Sequence, residues 1–206
     1  MLIFSAEALA FIAVPKTGST AIDAALKPRA DILFTRQRKH MPARRFHARL
    51  APFLASEFNL RLECFAVMRD PEEQIRSWYR YRAREARAGS GNSTDGIGFD
   101  QFVRAVISDA PPPYATIGSQ AGMLCGGDGA ILVHHLFAHE TPDRLHRFLE
   151  DRFGERIPLP RKNVSPAVPA ELAPATRAKL RAARAREFDL HARLRDNGGY
   201  LFSSVG

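Results

Sequence analysis

AFIAVPKTGSTAI, residues 10 to 22, is the stretch on which the reading of this chain turns. Ala10 to Val14 is a short apolar run of the kind used by a strand buried on both faces. Pro15 ends it, Lys16-Thr17-Gly18-Ser19-Thr20 makes a tight polar turn, and Ala21 to Leu26 has helix-forming composition. A strand, a turn and a helix in that order aim a row of backbone N–H groups and a helix N-terminus at one point, where an anion binds. Lys16 adds a full positive charge, and Thr17, Ser19 and Thr20 add hydroxyl donors. The stretch predicts a seat for the phosphate and transferable group of a nucleotide-type donor.

Outward from this stretch, strands and helices alternate. Asp31 to Thr35 reads as a strand, Arg44 to Phe58 as a helix, and Glu63 to Met68 as another buried strand. Arg69-Asp70-Pro71-Glu72-Glu73 is a helix start, with Asp70 as N-cap, Pro71 at N1 and Glu73 completing a capping-box-like arrangement. That helix runs through Ile75, Trp78 and Tyr79 to about Ala88, and Gly89 to Gly98 is a loop by composition. A short helix covers Phe99 to Ser108, and Tyr114 to Asp128 is an irregular excursion. Ala130 to His134 is a third buried strand, Thr141 to Phe153 a helix that Thr141 can cap, and about Ala170 to Arg195 a final basic helix. The alternation gives one α/β domain over residues 1–206 with a central, mainly parallel sheet.

In such a sheet ligands bind beyond the carboxyl ends of the strands. Lys16 follows one strand and Arg69 another, so both cations open onto one mouth if these strands are neighbours. Ser77 lies two turns into the helix after Arg69, and the pair could grip a second phosphate beside the first. Taken alone, each has a plainer reading: Arg69 as an ion-pair partner of a nearby carboxylate, Ser77 as an ordinary helix serine, Trp78 and Tyr79 as core.

These residues together resemble a family. Pro15-Lys16-Thr17-Gly18-Ser19-Thr20 resembles the 5′-phosphosulfate loop of sulfotransferases that use 3′-phosphoadenosine 5′-phosphosulfate (PAPS). Val67-Met68-Arg69-Asp70-Pro71 with Arg76-Ser77-Trp78-Tyr79 resembles their 3′-phosphate motif, nearest the carbohydrate branch of heparan 2-O and chondroitin 4-O type enzymes and their bacterial relatives. Gln120, His139-Glu140 with Leu145, Asn163-Val164-Ser165 and Phe188-Asp189-Leu190 are similar to later motifs, in order along most of the chain. His191 stands where the family has a tyrosine after the leucine.

The resemblance implies a P-loop-NTPase-like three-layer fold and an enzyme with PAPS as co-substrate and no metal. It implies that Lys16 contacts the sulfonate and bridging oxygen, that Thr17, Gly18, Ser19 and Thr20 cradle the 5′-phosphate, and that Arg69 and Ser77 hold the 3′-phosphate. Asn163 and Ser165 are carried over as further donor-binding positions, or form only a local turn. Related enzymes place their base in a histidine-containing loop between the two donor motifs, which here holds His40; it is either that base or a surface histidine. His47 comes next, then His134, His135 and His139. The acceptor is a hydroxyl on a carbohydrate or small metabolite.

The bulk properties fit a phosphorylated ligand. The chain has 206 residues, 45% hydrophobic, with a net charge of +8, which suggests an anionic partner. A nucleic acid, an anionic glycan, a phosphorylated cofactor and a membrane surface each fit, and charge alone does not choose among them. Cys64 and Cys125 form no zinc-type pattern and are expected as free thiols, and no run reaches transmembrane length, so a cytoplasmic protein is expected. A P-loop nucleotide kinase is disfavoured because GxxxxGK[ST] is absent and the lysine precedes the glycine. A nucleic-acid-binding module is disfavoured because no helix-turn-helix, RNP-like or zinc pattern appears.

Overall fold

In the computed structural model, residues 1–84, 90–159 and 170–205 are described. Within them six strands form one sheet in the order β3-β1-β2-β4-β5-β6. These are β1 (Leu2–Phe4), β2 (Leu9–Ile12), β3 (Ile32–Leu33), β4 (Glu63–Met68), β5 (His135–Ala138) and β6 (Tyr200–Phe202). Only the central neighbours β2·β4 and β4·β5 are parallel; β1·β2, β1·β3 and β5·β6 are antiparallel. The sheet is therefore mixed rather than mainly parallel. The parallel part is buried on both faces, which is why those strands read as continuous apolar runs.

Side chains alternate across the sheet. Ala10, Ile12, Val14, Cys64, Ala66 and Met68 enter one core with Phe46, Leu54 and Leu194, whereas Leu9, Phe11, Phe65, Val67 and Phe137 enter another with Ile22, Leu26 and Leu149. Helices thus flank both faces. The first core is closed by a helical run of α2 (Ala43–Arg45), a π-helical turn (Phe46–Leu50) and α3 (Ala51–Phe58), and the second by α1 (Ser19–Leu26). The remaining helices are α4 (Pro71–Arg82), α5 (Phe99–Val106), α6 (Gln120–Leu124), α7 (Pro142–Phe153), α8 (Pro174–Ala183) and α9 (Ala185–Asp196). A third apolar cluster, around Ile75, Tyr79, Phe102, Val103 and Leu180, locks α4 against α5 and α8. No helix among the described residues is long and apolar enough to cross a membrane.

Several expectations shift. The third parallel strand is His135–Ala138 rather than residues 130–134, because the Leu132 N–H donates to Leu124 O and Ile131 bridges Cys125. Those bonds tie the first half of the apolar run to α6 and let the sheet take only the second half. Helix α4 ends at Arg82, and residues 85–89, on which its expected extension falls, lie outside the described residues. The basic C-terminal helix is two helices, broken at Arg184 (φ −116°, ψ 27°). Thr141 makes no side-chain cap for α7. Strand β1, paired between β3 and β2, and the edge strand β6 have no counterpart in the sequence reading. Both cysteines are free, Cys64 buried and Cys125 half-buried.

Candidate functional site

Strands β2 and β4 pair directly and in parallel, with Ile12 opposite Ala66, so their carboxyl ends share one edge. Beyond that edge lies a cleft of about 450 Å³ lined by Lys16, Gly18, Ser19, Thr20, His40, Arg69, Ser77, Trp78, Tyr81, Arg84 and His139, among others. The two stretches expected to bind anions, 53 positions apart at Lys16 and Arg69, meet here.

The turn is built by backbone conformation. Lys16 (φ +67°) and Gly18 (φ +80°) are both left-handed, separated by Thr17, which is the kind of alternation that curls successive N–H groups around an anion. Gly18 is favoured by its backbone angle, which disfavours a side chain; the space beside it would take a Cβ in ordinary contact with the His139 ring at 3.5 Å. Thr17 departs from its expected role, because its hydroxyl is buried and donates to Val14 O at 2.9 Å, tying the turn to the strand. Ser19 is buried and Thr20 exposed at the start of α1, and both line the cleft.

Helix α4 forms the opposite wall. Asp70 caps it, accepting from the Glu73 N–H at 3.0 Å, as the sequence predicts. Glu73 does not return the bond; its carboxylate goes to Arg76 at 2.9 Å and Arg69 at 3.5 Å. Gln74, Ser77, Trp78 and Tyr81 follow the i, i+3, i+4, i+7 spacing of one helix face, and that face meets the turn. The buried Gln74 amide donates to Pro15 O at 3.0 Å. Lys16 Nζ lies 3.3 Å from the Tyr81 ring centroid and 5.1 Å from that of Trp78, a cation–π seat that keeps the ammonium inside the cleft. Trp78, read from sequence as core, packs on the third cluster and also lines the cleft; its buried indole N–H has no partner among the described residues. Tyr79 is core, as expected.

Arg69 is held by its backbone. Its N–H donates to Gln120 Oε1 at 2.9 Å, and Gln120 Nε2 donates back to Arg69 O at 2.8 Å; Gln120 is fully buried. The next N–H, of Asp70, donates to Glu140 Oε1 at 2.8 Å, and the other Glu140 oxygen meets His191 Nε2 at 3.3 Å. Burial pushes the Glu140 carboxyl up, but the bonds from His191 and the Asp70 N–H outweigh it and hold the pKa at about 2. Three elements therefore clamp one turn.

His40 sits on a short 3₁₀ turn (Arg36–His40) pinned to α1 by Lys39–Asp23 at 3.3 Å. Its Nδ1 lies 2.7 Å from Ala13 O, and a carbonyl only accepts, so Nδ1 carries the proton. The neutral ring then has its lone pair on Nε2. Burial lowers the pKa, with Lys39 adding to it against the opposing Ala13 bond. His139 also enters the cleft, following β5 as Arg69 follows β4; burial and then Arg69 lower its pKa. The other candidate bases lie elsewhere. His47 bonds Leu132 O at 2.9 Å, His134 accepts from the Cys64 N–H at 2.9 Å, and His135 bonds Tyr200 and Glu63, all at the amino ends of β4 and β5. Burial lowers the pKa of both His134 and His135.

Asn163 and Ser165 lie outside the described residues. Among the described residues no group of His, Cys, Asp and Glu is arranged to hold a metal ion. Sequence reasoning missed Gln74, Tyr81, Arg84 and the clamping role of Gln120, Glu140 and His191. The helical spacing around Ser77 carried the signal for the first two, and nothing local marks the clamp. Compared with known proteins, the chain matches no family model, no curated protein and no solved structure.

Proposed function

We propose that this protein moves a sulfonate from PAPS to a hydroxyl of a carbohydrate or small metabolite, on a P-loop-like variant of the α/β fold. The observation that carries the reading is the single cleft in which the Lys16 turn, Arg69 and Ser77 meet. A donor with phosphates at both the 5′ and 3′ ends of its ribose needs two anion sites, and this cleft supplies them side by side.

The chemistry follows from placement. The acceptor oxygen bonds to sulfur, the bond from sulfur to the 5′-phosphate oxygen breaks, and its electron pair leaves with the phosphate. Lys16 neutralises the charge that develops on that oxygen, moving off the Tyr81 face toward the donor. Gly18, Ser19 and Thr20 surround the 5′-phosphate, and Arg69 and Ser77 take the 3′-phosphate. The acceptor proton passes to Nε2 of His40, whose tautomer is set by Ala13. Two free cysteines suit a reducing compartment, and we place the enzyme in the cytoplasm.

Calorimetry with 3′-phosphoadenosine 5′-phosphate, with ATP and magnesium, and with a DNA oligomer tests the reading. Binding of the bisphosphate in preference to the other two is the expected result. Binding of ATP with magnesium but not of the bisphosphate would replace this reading by a nucleotide kinase. A screen of hydroxyl acceptors with labelled PAPS then names the second substrate.

A further inference from the structure

The helical run from α2 through α3 buries one face and leaves the other without a cover. Ala43, Phe46 and Leu54 point into the core and Leu50 and Ala51 pack at its edge. The opposite side carries Arg44, Arg45, Arg49, Phe53 and Phe58, all exposed. Phe53 is 52% and Phe58 64% exposed, and their rings touch edge to face at 5.9 Å between centroids. Two phenylalanines held against each other in water form a protruding apolar tip.

Charge surrounds that tip. Arg44, Arg45 and Arg49 precede it on the helix and Arg61 follows it, with Arg36 and Arg38 on the 3₁₀ turn before the helix; all six are exposed. Among the described residues none of the six makes an ion pair. Glu57 is the one carboxylate on residues 43–58. Between the arginines runs an open groove of about 870 Å³ with Met41, Ala48 and Leu50 along its floor.

We infer that this face docks on an anionic lipid surface. An apolar tip flanked by guanidinium groups matches the layering of a leaflet, where rings enter the acyl boundary while arginines stay among the phosphates. A second copy of the chain fits poorly, because an isologous contact would set the arginines against their own symmetry mates. A nucleic acid would use the charge, but rings at 74° to each other offer no parallel platform for successive bases. The run starts three residues after His40 and ends at Phe58, shortly before the amino end of β4, so the apolar tip lies toward the sheet edge away from the cleft. The inference rests on this face alone and does not depend on the proposed reaction.

Flotation of the full chain with phosphatidylcholine vesicles, with and without phosphatidylglycerol, tests it. The wild type should float only with the anionic vesicles. Replacing Arg44, Arg45 and Arg49 together by Gln should weaken binding on the order of 100-fold, at roughly fivefold per arginine. Phe53→Ser with Phe58→Ser should weaken it by about tenfold or more at unchanged charge. All five side chains are exposed, and the far-UV circular dichroism of each variant should match the wild type. Three results would each overturn the inference: no binding by the wild type, binding unaffected by the phenylalanine pair, or a concentration-dependent dimer in sedimentation that the same pair abolishes.

Discussion

Lys16 holds a backbone angle that L-residues avoid, at a cost of about 1–2 kcal/mol, and glycine would hold it freely. The proposed reaction, in which Lys16 acts on the donor, gives a reason to keep a side chain at this strained position. Lys16→Gly should therefore unfold at higher urea than Lys16→Ala, by about 1 kcal/mol, while both lose transfer by on the order of 10²-fold or more. Arg69→Ala should act differently, weakening bisphosphate binding about 10–100-fold through loss of charge-assisted bonds, as calorimetry will read. Unchanged affinity would take Arg69 out of the donor site. His40 gives a pH signature. In the proposed mechanism its base form is required, and its pKa is lowered, so kcat/KM should fall only as the pH drops below the ordinary imidazole value of 6.5. His40→Ala should remove that limb along with most of the rate; near-normal transfer by the folded variant would disqualify His40.

At the scale of elements, the turn after β4 is where local sequence and long-range structure meet. The Asp70 cap and Pro71 start are legible because both act within four residues. The clamp from Gln120, Glu140 and His191 is not, because its partners come from 50 to 120 positions away and only the sheet order brings them together. The same contrast explains the strands. β2 and β4 could be read because strands buried on both faces leave uninterrupted apolar runs; β1 is as apolar and as buried but only three residues long, whereas β6, preceded by two glycines and only partly buried, is stabilised mainly by pairing. The run holding β5 was visible but not its start, since the bonds to α6 are non-local. Glu140 offers a direct test. Its carboxyl is held at about 2 against an ordinary 4.5, so the stability it adds is complete above 4.5 and fades as the pH falls toward 2. Urea midpoints between pH 5 and 3 should drop more steeply for the wild type than for Glu140→Gln.

For the whole molecule, the antiparallel edges do more than widen the sheet. Strand β6 reaches β5 through Gly199, whose carbonyl accepts from the Ala138 N–H at 2.9 Å, next to the start of α7. Gly199 has φ +82°, and a Cβ there would overlap Thr141 Oγ1. Gly199→Ala should lower stability by about 2–4 kcal/mol in urea titration, because strain and overlap both oppose it. A loss below about 0.5 kcal/mol would mean that this corner can open without disturbing the fold.

One residue of the cleft wall also makes the molecule its own instrument. Trp78 is the sole tryptophan of the chain, and it lines the cleft beside Lys16. All indole fluorescence therefore originates at the candidate site. A ligand that draws the ammonium away or fills the cleft should change that emission, whereas a ligand that docks elsewhere should leave it alone. Occupancy, and the rate at which it is reached, can be followed in the unlabelled protein by light.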